Sequence, residues 1–384
     1  MTDVRAGDAA DRVCIDPSDR RLADIPTPAL ILHEPTLDAN LAHMARFAAQ
    51  RGTPLRPHAK SHKCAEIAKR QLALGALGVC CATLAEAQDL AKAGVTGIVV
   101  TSPIAGDQKC RWLAALNDRY DIAAVVDDPG AVSRLAGLAT GRPLRLLVDV
   151  DVGQERTGVV DIPSLVALAT RIAAAPSLRF AGIQGYAGHV QHIPDGVARR
   201  QAAEAVAAQL SDAVAELRRC GLDPAIVTGA GTGSSDFDLG GGVFSEAQVG
   251  SYALMDSEYR TVHGIDGAGL PFRQSFYVLA TVVSRRPGQV TVDAGTKALA
   301  VNGPPPDHIV GLRGLFRFRY GGDEHGIILS RDETALPSVG SRVLIAPTHC
   351  DPTVNLHPAY HAIGADGSIG LWPILGRYRA TDRL

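Results

Sequence analysis

From Thr27 to about Met255 the chain repeats one rhythm, a short β-rich run followed by a longer amphipathic helical run. The β-rich runs are 29–33, 55–58, 78–82, 97–101, 122–127, 144–150, 180–186 and 225–228. Between them lie helical patterns. Residues 35–50 carry Leu37, Leu41, Met44 and Phe47 at spacings of four and three. Residues 63–74 and 85–92 are similar, and 197–219 is the longest, rich in Ala, Leu and Arg, which are good helix formers. Gly52, Gly75, Gly94, Gly141 and Gly221 punctuate the junctions. Eight βα units in about 225 residues match a (β/α)8 barrel in size. A doubly wound sheet is the rival, but it seldom needs eight strands so evenly spaced.

After Met255 the rhythm changes. Residues 276–284, a Pro287-Gly288 turn and 289–293 read as a hairpin, 342–346 as a further strand, and 361–363 with 369–373 as a second hairpin around Gly364-Ala365-Asp366-Gly367. No long helical pattern follows Gly250. The expected architecture is α/β: a (β/α)8 TIM-type barrel over 27–255, then a mainly antiparallel β domain over 256–384. Residues 1–26 form a polar N-terminal arm.

Composition removes several function classes. The formal charge of −2, from 38 basic and 40 acidic residues, offers no field for a phosphate backbone, so nucleic acid is not an expected partner. No apolar run approaches the ~18–20 residues of a membrane helix, and the first residues contain no apolar core of a secretory signal. Seven cysteines, an odd number with no Cys-x-x-Cys pair, read as reduced thiols in a cytoplasmic protein.

Five segments carry groups suited to chemistry. Arg56-Pro57-His58-Ala59-Lys60-Ser61-His62-Lys63 ends the second β run. In a barrel the C-terminal ends of the strands form the catalytic face, and a lysine desolvated among cations there is suited to Schiff-base chemistry. Asp149 to Gly158 ends the sixth run, where Arg156 could hold a phenolate or carboxylate oxygen with its planar fork. Either segment also reads as a solvated turn. Gly182 to His192 brings Tyr186, His189 and His192 to another strand end, and histidine is the commonest general base. Thr228-Gly229-Ala230-Gly231-Thr232-Gly233-Ser234 follows a β run, and its glycines and hydroxyls suit a phosphate. It is neither a P-loop nor a dinucleotide fingerprint. Finally, His349 and Asp351 follow the strand 342–346 and would share a face if that strand continued, with Cys350 on the other. An imidazole and a carboxylate can hold a divalent ion such as Mn²⁺.

Together the runs PHAKSHK, DVGQERTGV, GYAGHVQH, TGAGTGS, QVGSYALMDSEY and THCDPTVNLH resemble the D-threonine aldolases, in the order seen there, from about Thr27 to Trp372. That group has an alanine-racemase-like fold and also holds D-3-hydroxyaspartate aldolases and D-serine dehydratases. The resemblance implies pyridoxal 5'-phosphate on Lys60, not Lys63. It implies a phosphate cradle at Thr228, Gly229, Gly231, Thr232 and Gly233, with Arg156 beside the cofactor's phenolate oxygen and Tyr186 near its ring. It further implies His192 as general base, a divalent metal, Mn²⁺ or Mg²⁺, on His349 and Asp351, and a homodimer. The substrate would be a D-3-hydroxy-amino acid, cleaved between Cα and Cβ to glycine and an aldehyde. The competing reading is a D-serine or D-threo-3-hydroxyaspartate dehydratase, which releases ammonia and a 2-oxo acid. The dehydratases carry His-x-Cys and zinc where this chain has His349-Cys350-Asp351. A non-catalytic pyridoxal-phosphate carrier needs neither His349 nor Asp351.

Overall fold

The computed structural model describes residues 4–5, 15–139 and 141–378. Residues 1–3 and 6–14, Cys14 among them, are part of the expected N-terminal arm and lie outside the described residues. The chain divides into two compact units. One is Met1–Leu41 with Ser251–Thr261 and Gly269–Ile374; the other is Ala42–Gly250 with Val262–Ala268 and Leu375–Leu384.

The second unit holds seven parallel strands in sequential order, Cys80–Cys81, Val99–Val100, Ala123–Val126, Leu144–Asp149, Leu178–Gly185, Ile226–Gly229 and Glu246–Ala247. Its two edges meet through residues 55–58. Leu55 bridges in parallel to Ala247 and His58 to Cys80. Arg56 N–H donates to the Ala247 carbonyl at 2.9 Å, and Cys80 N–H donates to the Pro57 carbonyl at 2.8 Å. Segment 55–58 is thus the staple that completes an eight-stranded (β/α)8 barrel. Small or branched side chains fill its interior, among them Cys80, Val99, Ala123, Val125, Leu147 and Ala181. At Gly182 a side chain would strike the Ile226 carbonyl, so glycine lets two strands approach.

The number of strands matches the sequence reading; their membership does not. Residues 29–33, taken as the first barrel strand, form Ala29–His33 in the other unit. That strand pairs antiparallel with Phe276–Arg286 and parallel with Ala359–Ile363. Leu30, Ile31 and Leu32 are fully buried there. An apolar run without alternation suits any strand covered on both faces, so the pattern cannot choose the sheet. The eighth barrel strand is Glu246–Ala247, too short and polar to show in the sequence. The unit that holds the parallel strands also begins at Ala42, not at residue 27.

The first unit is mainly antiparallel. Phe276–Arg286 turns into Gln289–Val292 with Arg286 opposite Gln289, and Ala359–Ile363 turns into Ile369–Pro373, so both expected hairpins form. Ile15, Leu22 and Ile25 pack with Ile31, Tyr277 and Leu279 in one cluster. From Ile15 onward, therefore, the expected polar arm is part of this unit's core: three apolar residues among charged ones suffice to dock it. Among the described residues six cysteines are free thiols, and no helix is long and apolar enough to cross a membrane.

Candidate active site

The staple strand runs directly into a 3-10 turn, Ala59–Ser61, and lifts Lys60 to the wall of a cavity of about 250 Å³. His58, Thr101, Arg156, Tyr186, Gln184 and Gln248 also line it. The cavity therefore gathers three of the residues singled out in the sequence, Lys60, Arg156 and Tyr186. The Arg156 guanidinium lies 5.9 Å from the centre of the Tyr186 ring, within cation–π range.

The other basic groups of that cluster are not solvated. Arg56 is held by Glu246 through two bonds of 2.8 Å. His62 is fully buried, and its Nδ1 accepts from Cys64 N–H at 3.1 Å. Lys63 turns away at a positive φ of 49° and donates to Glu86 Oε1 at 2.6 Å and to the Gly376 carbonyl at 3.3 Å. His58 caps the turn, its Nδ1 accepting Lys60 N–H at 3.3 Å. Its Nε2 lies 2.9 Å from Thr101 Oγ1, whose own proton goes to the Cys81 carbonyl at 3.1 Å. That hydroxyl must therefore accept from Nε2–H, and the His58 ring is neutral.

Beneath the cavity runs a buried polar chain. Gln248 Nε2 donates to Gln184 Oε1 at 3.0 Å and to Thr228 Oγ1 at 3.1 Å. Gln184 Nε2 donates to Asp149 Oδ1 at 2.8 Å, and Thr157 Oγ1 donates to Asp149 Oδ2 at 2.8 Å. Burial pushes the Asp149 carboxyl above its ordinary value against those two bonds. None of three buried glutamines of this unit, Gln184, Gln191 and Gln248, stands out in the sequence. Glutamine has no motif spacing of its own, and the partners of their side chains, all but the Ala187 carbonyl, lie tens of residues away.

Thr228 and Gly229 end the strand Ile226–Gly229, and the loop continues through Gly231, Thr232 and Gly233 to the short helix Ser235–Asp238. Gly233 N–H donates to Gln191 Oε1 at 3.0 Å. His192 is half-buried and follows the turn Gly188–Val190, while His189 is exposed and its backbone N–H donates to Gln154 Oε1 at 2.7 Å. Among the described residues neither His192 nor the 229–233 loop lines the cavity, and the loop is tied to Gln191, the residue before His192.

His349 and Asp351 lie in the other unit, and their setting differs from the expectation. The strand is Arg342–Ile345, and a helix, Cys350–Leu356, begins with His349 at its N-cap. Strand alternation therefore does not relate the pair; Pro347 interrupts the ladder and the chain turns. Cys350 N–H donates to Asp256 Oδ2 at 2.8 Å, and Asp256 Oδ1 accepts from Tyr259 N–H at 2.9 Å. Asp256 is fully buried, which pushes its carboxyl up to about 6 against those bonds. His349 Nδ1 lies 2.8 Å from Asn302 Nδ2 and 3.9 Å from Glu258 Oε2, so Nε2 is the ring nitrogen directed away from both. Cys350 Sγ donates to Asp351 Oδ1 at 3.3 Å. Among the described residues no three His, Cys, Asp or Glu side chains cluster as a metal site. Any ion here would rest on two protein donors, with water or substrate for the rest. An imidazole nitrogen and a carboxylate oxygen are compatible with that.

The alanine racemase N-terminal domain family matches residues 32–258, and a putative serine dehydratase domain matches residues 275–363. D-threonine aldolase of Arthrobacter sp. is 38% identical over 360 residues, covering 93% of this chain and 94% of that protein. 3-Hydroxy-D-aspartate aldolase of Paracoccus denitrificans (strain Pd 1222) is 34% identical, covering 92% of this chain and 93% of that protein. The crystal structure of D-threonine aldolase from Filomicrobium marinum superposes with a TM-score of 0.87 at 38% identity, covering 93% of this chain and 96% of that one. Three dehydratases among the relatives are more distant, at 28% identity or less. With this fold and this extent of likeness, the chain belongs to the family that includes D-threonine aldolase and 3-hydroxy-D-aspartate aldolase.

Proposed function

We propose that this protein is a lyase that cleaves D-3-hydroxy-amino acids of the D-threonine type between Cα and Cβ, yielding glycine and an aldehyde. It would use pyridoxal phosphate on Lys60 and a divalent ion, Mn²⁺ or Mg²⁺, on His349 and Asp351. The observation that carries the cofactor assignment is the divergence of the two lysines. Lys60 reaches the cavity beside Arg156 and Tyr186, whereas Lys63 is neutralised by Glu86.

When bound, pyridoxal phosphate supplies an electron sink for the pair released by the breaking bond. The protein's own groups do the rest. Neutral His58 fixes the backbone of Lys60 without placing a second cation beside its amine. Arg156 presents a planar donor fork to an anionic oxygen of cofactor or substrate. The loop 229–233 would hold the cofactor's phosphate, and Tyr186, on the wall of the cavity, would supply an aromatic face beside its ring. His192 takes the proton of the β-hydroxyl, the role a neutral imidazole fills at physiological pH. His349 and Asp351 would hold a divalent ion, whose charge would favour a developing alkoxide.

Aldolase is favoured over dehydratase by the second donor. It is the carboxylate of Asp351, which admits a harder ion than a thiolate does. Cys350 does not replace it, because that side chain is fully buried at the start of the helix. A homodimer in the cytoplasm fits the family and the free thiols.

The test is product analysis with D-threonine and D-serine, with and without chelator. D-Threonine gives glycine and acetaldehyde, chelator abolishes this, Mn²⁺ restores it, and D-serine yields little ammonia. Dominant ammonia and 2-oxo acid would overturn the aldolase reading in favour of the dehydratase, and indifference to chelator would remove the metal from it.

A further inference from the structure

The residues on either side of His192 are both fastened to Gly233. Gln191, only 1% exposed, accepts Gly233 N–H at 3.0 Å and Ser234 N–H at 3.2 Å on Oε1. Its Nε2 donates to the Ala187 carbonyl at 3.1 Å and to Ser234 Oγ at 2.8 Å. A primary amide has two donors and two lone pairs, and here all four are engaged. The orientation is unambiguous, because backbone N–H groups only donate and a carbonyl only accepts. On the far side, Arg199 is fully buried and donates from Nε to the Gly233 carbonyl at 2.7 Å and from Nη1 to the Ile193 carbonyl at 2.6 Å. Gly233 thus gives its N–H to the residue before His192, and its carbonyl shares a guanidinium with the residue after it. Side chains at Gly231 and Gly233 would strike the Gln191 side-chain oxygen and backbone carbonyl, respectively. The glycines of this loop therefore make room for Gln191 as well as for any phosphate.

We infer that Gln191 is a positioning residue that holds the glycine loop and the His192 backbone at one fixed spacing, with Arg199 as the second tie; this rests on the functional reading above. The N–H groups of Gly233 and Ser234 point at Gln191. A phosphate held by this loop therefore relies on Gln191 for the loop's shape, and the same amide sets where the base stands relative to the cofactor.

The test uses the full-length protein and its Gln191→Leu and Gln191→Glu variants, with Asn117→Ala as reference. Asn117 is equally buried, and its amide holds the Arg142 carbonyl at 3.0 Å on a helix far along the chain. Three readouts are compared: the dissociation constant for pyridoxal phosphate, kcat and KM at saturating cofactor, and amide hydrogen exchange at Gly233 and Ser234 without cofactor. Gln191→Leu is expected to weaken cofactor binding by about 10–100-fold, the usual cost of losing an outer-shell support. It should also lower kcat by about 10-fold or more with little change in KM, and unprotect both amides. Gln191→Glu keeps the two acceptors but loses both donors, so it should fall between Leu and wild type; it decides the matter if the Leu variant does not fold. Asn117→Ala should lower the melting temperature without moving any of the three. Gln191 variants that match wild type, or that change only in step with melting temperature as Asn117→Ala does, overturn the inference alone. A wild-type protein that takes up no pyridoxal phosphate overturns the functional reading and this inference together.

Discussion

Lys60 and Lys63 stand one turn apart, and their substitutions should separate cofactor chemistry from stability. Borohydride reduction of the holoenzyme is expected to leave the pyridoxyl label on Lys60; a label on Lys63 would reverse the assignment. Lys60→Ala should lose the visible cofactor band while keeping the melting temperature. Lys63→Ala should keep the band but lose about 3–5 kcal/mol, because Glu86 would be left buried without its cation. His192→Ala should retain the band and lower kcat by ~10²–10⁴, the usual contribution of a general base. His189→Ala, at an exposed position on Gln154, should shift substrate preference more than rate; the opposite pattern between the two would make His189 the base. At this scale the sequence points to residue types with few ordinary uses at a strand end, Lys60, Arg156 and Tyr186, and the structure gathers these three at one cavity. Gln191, Gln248 and Arg199 were silent because their meaning lies in partners brought near only by folding.

Among the elements, the short helix Ser235–Asp238 carries a titratable prediction. Asp238 is buried, and its carboxyl is pushed up from 3.8 to about 7 by that burial, opposed only in part by the Ser234 hydroxyl. The folded protein therefore binds a proton there that the unfolded chain releases near pH 4. This contribution is fully present below 3.8 and is lost as pH rises to about 7, with a span on the order of 4 kcal/mol. Asp238→Asn should flatten the stability profile across that window, as urea titrations from pH 4 to 8 would read. An unchanged slope would mean the carboxyl is not held protonated. Elements were also where sequence reading went astray. The period-two and fully apolar patterns locate strands but do not say which sheet receives them, so Ala29–His33 fits a barrel pattern equally well. The helix Cys350–Leu356 was hidden because its seven residues are too few to show a 3.6-residue period and Pro352 sits within it.

At the scale of the whole molecule, the chain leaves the barrel unit and returns to it twice, the second time at its end. Leu375 N–H donates to the Lys63 carbonyl at 2.7 Å, and Gly376 N–H donates to Asp89 Oδ2 at 3.0 Å. Ending the chain after Ile374 would remove one hydrogen bond from each of three buried groups, the Lys63 carbonyl, Lys63 Nζ and the Asp89 carboxylate. It should cost roughly 2–4 kcal/mol, since three hydrogen bonds are lost and a typical one contributes ~0.5–1.5. Thermal melting of the shortened protein, with and without cofactor, would show it; an unaltered midpoint would mean the tail contributes nothing.

The seam of the barrel has a consequence for biosynthesis. Strand 55–58 is made early, but it is locked from one side by Ala247, and Arg56 finds Glu246 190 residues later. Lys60 follows that seam directly. On a ribosome that extends the chain at ~5–20 residues per second, the lysine is synthesised many seconds before the turn that presents it can be fixed. A nascent chain halted short of residue 246 should therefore have no seat for the cofactor, and loading should begin only once the last strand of the barrel has emerged. Such a high sequence separation at the decisive contact also makes closure a slow, late event in refolding.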